Sequence, residues 1–198
     1  FRIEGRLRQN MDVPTVWVDL DVAPELRWRN VTGVYKQMGV FPKVLDNMTV
    51  SADLRELLRV TKFDEEHVRE MRGYLRDLGL PESSHLDLMK SFQIAYEATP
   101  VGPFQWTGCS GLLAAMPNGT VIHGRNLDYF GPEVEVNGTM LHYPEVTLRG
   151  MFTRGGEPLY TSVVWPGVIG MHTAMRFGGW SFEQNTRQHD VNASLRYG

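Results

Sequence analysis

Apolar positions recur at helical spacing through the first half of the chain. Between residues 63 and 78, Val68, Met71, Leu75 and Leu78 fall on one face, and Gly79 with Pro81 closes the element. Leu86, Met89, Phe92, Ala95 and Tyr96 line a second helix, which Ser83 or Ser84 can cap and which Thr99-Pro100 and Gly102-Pro103 end. Ser51 can cap a short helix running to Val60, and a further helix is expected around 31–45, with Phe41-Pro42 as its stop. Ahead of these, Val13-Pro14-Thr15-Val16-Trp17-Val18-Asp19-Leu20 reads as a short strand whose proline suits a sheet edge. The apolar helix faces suit core packing, and they also suit contact with lipid.

The pattern changes near residue 108. The first 108 residues hold all four lysines and seven of the 20 glycines, whereas the last 90 hold thirteen glycines and no lysine. This shift predicts a helix-rich segment, 1–108, followed by a strand-rich segment, 109–198. With 42% apolar and 22% charged residues the chain is ordinary globular material. A net charge of −3 gives no basic excess for a nucleic-acid surface, and no 18-residue apolar run is present to span a membrane. A single cysteine, Cys109, excludes a disulfide framework within the chain and any Cys-rich zinc site. No HExxH, GxGxxG or P-loop pattern occurs, and neither a metal nor a cofactor is expected.

Asn-X-Ser/Thr sequons begin at Asn30, Asn47, Asn118, Asn137 and Asn192. With eight asparagines in the chain, chance supplies about one sequon. The excess points to a secreted or lysosomal glycoprotein, although Asn-Gly-Thr at Asn118 and Asn137 also reads as a turn.

The densest chemistry lies between Thr107 and Tyr129. If Asn118-Gly119 forms a two-residue type I′ turn, Pro117 opposes Thr120, Asn126 lies across from Gly111, and Asp128 lies directly across from Cys109. A carboxylate beside a thiol opposes thiolate formation, so this pair makes sense with a cation between them. Cleavage before Cys109 supplies one, the new α-amino group, which as the free amine can take the thiol proton while Asp128 orients it. Gly108 can accept the strain of an N→S acyl shift. Strand parity puts Arg125 on the opposite face from Asp128, and reaching the same site requires a bulge or twist, which Gly124 can permit. A surface ion pair for Arg125 and an inert buried Cys109 remain the alternatives.

Cys109 followed by His123-Gly124-Arg125-Asn126-Leu127-Asp128-Tyr129 resembles the acid ceramidase and N-acylethanolamine-hydrolysing acid amidase family, at intervals of sixteen residues to Arg125 and nineteen to Asp128. Asp19-Leu20-Asp21 with Pro24-Glu25-Leu26-Arg27-Trp28 is similar to the acid amidase side of that family, and Tyr160-Thr161-Ser162 through Gly170 more loosely to its next strands. The resemblance implies an α+β fold, the αββα sandwich of N-terminal-nucleophile hydrolases, with 1–108 as the α part and a β part beginning at Cys109. It implies self-cleavage between Gly108 and Cys109, after which the two parts stay associated. It makes Cys109 nucleophile and its amine base, with Asp128 orienting the amine and Arg125 holding that carboxylate and helping to position substrate. Substrates would be fatty acid amides drawn from a membrane or micelle in the lysosome. N-acylethanolamines come first and ceramide second, with Trp180 and Asn126 as substrate contacts. Family members carry Ile or Phe before the cysteine, where this chain has Gly108. The family's β part also continues past the 90 residues present, to an Asn that completes the oxyanion hole and a further Arg, neither with a counterpart before Gly198, so the chain is expected to be a fragment.

His142 with Glu145, and His172, read as turn or surface histidines, with ligand or base as the alternative, and a papain-like dyad lacks its sequence context. Trp165, Met171, Met175, Phe177 and Trp180 suit either the core or an acyl slot. The reading from another class is a lipid-binding glycoprotein without catalysis, which leaves the Cys109–Arg125–Asp128 spacing unexplained.

Overall fold

The computed structural model describes residues 13–46, 50, 52–98, 109–127 and 133–185. The chain begins there with strand β1, Thr15–Asp19, and a short 3-10 turn, Pro24–Leu26. Five helices follow: α1 (Arg29–Met38), α2 (Lys43–Asp46), α3 (Ala52–Val60), α4 (Glu65–Leu78) and α5 (Glu82–Ala98). Then come β2 (Cys109–Ala115), β3 (Val121–Leu127), β4 (Val134–Val136), β5 (Thr139–Leu141) and the single turn α6 (Tyr143–Val146). The last strands are β6 (Leu148–Arg154), β7 (Glu157–Val164), β8 (Thr173–Arg176) and β9 (Ser181–Glu183). The result is a mixed α+β chain whose described helices, apart from the single turn α6, lie before residue 99 and whose described strands, apart from β1, lie after 108.

The helix signals hold at α4 and fail in part elsewhere. Asp64 caps α4 by accepting from the Glu66 amide, and Gly79, left-handed, ends it. Val68, Met71 and Leu75 are buried, and so is Tyr74, which carries the same face one position further. α5 starts at Glu82, after Pro81, so Ser83 and Ser84 sit inside its first turn instead of capping it. The expected 31–45 helix is two helices. α1 ends at Gly39, and Pro42 directly precedes the short α2. Ser51, Thr99-Pro100 and Gly102-Pro103 lie outside the described residues.

Five strands form one sheet in the order β1-β6-β7-β8-β9. β1 is a terminal strand of that order, as its preceding proline suggested. It pairs parallel with β6, Val16 against Gly150 and Val18 against Phe152. The helix-rich segment therefore contributes a strand to the sheet of the strand-rich one. Val16, Val18, Leu148, Phe152, Val164 and Ala174 point to one face, where they pack on Val31, Tyr35, Met71, Tyr74 and Leu75 of the helices or border that core. The Tyr35 hydroxyl lies 3.0 Å from the carbonyl oxygens of both Val146 and Val164, joining α1 to the sheet at full burial, and that burial holds its phenol protonated. Tyr35→Phe is expected to cost about 1–3 kcal/mol of stability, the scale for a buried acceptor left unmet. Urea unfolding at neutral pH measures it, and an unchanged midpoint would show the hydroxyl to be idle.

Two hairpins use type I′ turns. Asn137-Gly138 joins β4 to β5 with φ of 52° and 77°, and Gly155-Gly156 joins β6 to β7 with φ of 61° and 78°. Asn118-Gly119 does not. Only Gly119 is left-handed, at φ 85°, and the loop spans three residues, with Gly119 N–H donating to Met116 O and Met116 N–H to Thr120 O. The difference is the residue in front. In a two-residue turn the residue before Asn118 must donate its N–H across the ladder, and Pro117 has none. Its fixed φ instead suits the second position of a type I turn. Thr120 N–H donates to the Asn118 side chain and closes the loop.

Candidate active site

The longer turn moves the hairpin register by one residue. Cys109 opposes Leu127, Ser110 opposes Asn126, and Gly111 opposes Arg125, without interruption to Ala115 and Val121. The expected Cys109–Asp128 and Gly111–Asn126 pairings are therefore corrected. A shift of one residue exchanges faces. Cys109, Gly111, His123, Arg125 and Leu127 now share one face, so Arg125 lies diagonal to Cys109 with no bulge at Gly124. Asn126 is exposed beside Ser110 on the other face. Gly108 and Asp128 lie outside the described residues, as do Asn47 and Asn192.

The shared face looks toward the sheet. His123 lines a cavity of about 270 Å³ together with Arg149, Thr161, Val163, Thr173 and Met175, which occupy the sheet face opposite the helices. The layers are thus helices, sheet and hairpin. The hairpin is otherwise apolar and open, with Leu112 68% and Leu113 66% exposed.

Strand β9 closes the cluster. Arg125, 7% exposed, donates from Nη2 to the Gln184 carbonyl at 2.6 Å and from Nη1 to Asn185 Oδ1 at 3.5 Å, and the same Nη1 lies 3.6 Å from Glu183 Oε2. Glu183 Oε2 is also 3.1 Å from His123 Nε2, and its Oε1 accepts from the Asn185 amide at 3.0 Å. Burial pushes the Glu183 carboxyl up, but the Asn185 and His123 hydrogen bonds and the Arg125 charge outweigh it, leaving the pKa below the usual carboxylate value. Arg125 Nε is buried with no hydrogen-bond partner among the described residues.

Sequence reasoning missed Glu183, Gln184 and Asn185. One signal was present: Glu183 is the single acidic residue between Glu157 and Asp190, in a run that alternates as a strand. Trp180, read as a substrate contact, is 42% exposed and leans toward Tyr160, 6.3 Å between ring centres, on the helix side of the sheet. The structure does not bring it to the Cys109 face. His142 caps α6, its amide bonded to Glu145, which matches its reading as a turn histidine. Among the sequons, Asn118 and Asn137 are exposed in turns, while the Asn30 amide donates to the Trp17 carbonyl at 2.9 Å. Among the described residues no cluster of His, Cys, Asp or Glu is arranged to hold a metal ion, and no helix is long and apolar enough to cross a membrane.

His172 packs against Trp165, ring centres 5.3 Å apart. Its burial lowers its pKa to about 4, the Gln184 hydrogen bond opposes that shift, and the Arg125 charge adds to it. The unfolded chain then binds a proton that the folded chain refuses between the ordinary histidine value and about 4. This contribution to stability is present above the unfolded value and is lost as pH falls through that window. His172→Gln is expected to flatten the fall in melting temperature across it. An unaltered slope would assign the acid sensitivity to other groups.

No family model matches the chain. Two curated relatives do, each named N-acylethanolamine-hydrolyzing acid amidase. The protein from Caenorhabditis elegans is 25% identical over 178 residues, 86% of this chain and 47% of the relative. The protein from Cavia porcellus is 27% identical over 172 residues, 81% of this chain and 42% of the relative. These two matches support the acid amidase family for this chain. The chain spans less than half the length of either relative.

Proposed function

We propose that this chain forms part of an N-terminal cysteine amidohydrolase that cuts itself between Gly108 and Cys109 and then hydrolyses fatty acid amides through a thioester. The observation that carries the reading is the shared face of Cys109 and Arg125 in a sequence run resembling the family motif. After cleavage the α-amino group of Cys109, as the free amine, takes the thiol proton. The thiolate attacks the amide carbonyl, the amine of the substrate leaves with a proton, and water opens the thioester to release the fatty acid. A buried guanidinium on the same face favours both the thiolate and the uncharged amine. Its unmatched Nε is a donor suited to the Asp128 carboxylate, which orients the amine.

The fold proposed for the whole is the αββα sandwich. The helix, sheet and hairpin layers are compatible with it, with 1–108 as α part and the strands from Cys109 as the start of the β part. Asn30, Asn47, Asn118, Asn137 and Asn192 are proposed glycan sites of a lysosomal or secreted protein. The apolar helix faces between residues 63 and 98, which also suited lipid contact, are spent in the core, with Val68, Met71, Leu75 and Met89 buried, so contact with the membrane or micelle that presents the substrate is proposed without them.

The names of both relatives favour N-acylethanolamines over ceramide. A competition assay of the full-length protein at acidic pH, with a saturated fatty acid ethanolamide and a ceramide in the same detergent micelles, tests this. The ethanolamide is expected to show the larger kcat/KM. A larger value for ceramide reverses the choice of substrate, and release of fatty acid from neither supports a lipid-binding glycoprotein without catalysis.

A further inference from the structure

We propose that Glu183 is a positioning residue for the Cys109 site, holding Arg125 and His123 in place through a carboxylate seated on the β2 backbone beside Cys109. The inference rests on the reading of Cys109 as the acyl-accepting nucleophile.

The geometry points there along three lines. First, Glu183 Oε2 lies between His123 Nε2 at 3.1 Å and Arg125 Nη1 at 3.6 Å, while Asn185 fixes the other oxygen at 3.0 Å. The carboxylate is therefore held from three sides and is only 17% exposed. Second, it presses on Gly111. A Cβ built there would collide with the Glu183 carboxylate, so the glycine is what lets that group sit against β2, two residues from Cys109 on the same face. Third, Arg125 is gripped by three successive residues of one segment, through Glu183, the Gln184 carbonyl and Asn185. That grip fixes the plane of the guanidinium and the direction of its remaining Nε–H.

The charged and titratable groups facing Glu183 are His123 and Arg125 of β3, and His172, next to Gln184, lies within the field of Arg125. Removing the Glu183 charge leaves Arg125 and any protonated His123 uncompensated near the thiol, which favours thiolate. It also frees the guanidinium to turn. The thiol becomes easier to ionise while the reaction becomes slower, a combination that a strand-anchoring ion pair alone does not produce.

The test uses the full-length protein with Glu183→Gln and Glu183→Asp. Iodoacetamide alkylation of the Cys109 peptide is followed by mass spectrometry across pH, beside melting temperature and kcat and KM for a fatty acid ethanolamide. Glu183→Gln is expected to keep the shape and move the alkylation midpoint down by about half a pH unit. Its kcat should fall about tenfold or more with KM little changed, and Glu183→Asp, which keeps the charge, should hold the normal alkylation midpoint and restore part of kcat. An alkylation profile matching the unmodified protein, or an Asp variant no better than Gln at equal melting temperature, overturns the proposal. If Gln unfolds the site, the Asp variant decides alone: a folded Asp protein must keep the normal alkylation midpoint. If the unmodified protein releases no fatty acid, the amidase reading fails, and the alkylation profile still decides the role of Glu183.

Discussion

Cys109→Ala is expected to leave a single uncut chain and to abolish release of fatty acid. Cys109 is the only cysteine of the 198 residues, and it begins β2 at the open end of the hairpin, on the face shared with Arg125. Both proposed steps use its sulfur. In processing, the thiol attacks the Gly108 carbonyl, the peptide C–N bond breaks, and water opens the resulting thioester. In turnover the same sulfur takes the fatty acyl group. Alanine removes the nucleophile with little change in volume, so the fold should persist. Cys109→Ser can still cut by an N→O shift, more slowly, because its hydroxyl is the weaker nucleophile. Denaturing gels after incubation at acidic pH, with other proteases excluded, measure the cut. Cutting of the alanine variant at the normal rate would refute self-processing.

Arg125→Lys is expected to lower kcat/KM about a hundredfold, and Asp128→Asn by a similar or larger factor, the scale for losing a partner of the general base. The arginine result follows from the geometry. One guanidinium nitrogen meets the Gln184 carbonyl, the other meets Glu183 and Asn185, and Nε keeps a donor in reserve. A compact ammonium cannot reproduce that fork, and at this burial it leaves acceptors unmet. The side chain also ties β9 to the hairpin, so melting temperature is recorded with the kinetics. A lysine variant with a normal melt and near-normal turnover would remove Arg125 from the proposed mechanism.

What could be read in the sequence divides by distance along the chain. The body and C-terminal end of α4 were legible, because Gly79 and the 3.6-residue apolar rhythm act within a few residues of one another. The edge character of β1 was legible from Pro14. Its partner was not: the parallel match of Val16 with Gly150 depends on packing between segments far apart in the chain. The hairpin was legible and its register was not, because the Asn-Gly signal was weighed without Pro117, whose missing N–H turns a two-residue loop into a three-residue one. That single residue moved Arg125 onto the Cys109 face. Cys109 and Arg125 could be picked out from residue type and interval. Glu183 was missed: its isolation as an acidic residue in a strand-like run was the one signal, and it reaches the site only through the pairing of β8 with β9.

The central claim is that the Cys109 sulfur carries the acyl group. The full-length protein is mixed with a saturated fatty acid ethanolamide, quenched in acid during turnover, and the peptide containing Cys109 is weighed by mass spectrometry. The account predicts an adduct equal in mass to the fatty acyl group, attached at Cys109 and discharged by hydroxylamine. Steady release of fatty acid with Cys109 unmodified at every time of quenching would contradict it.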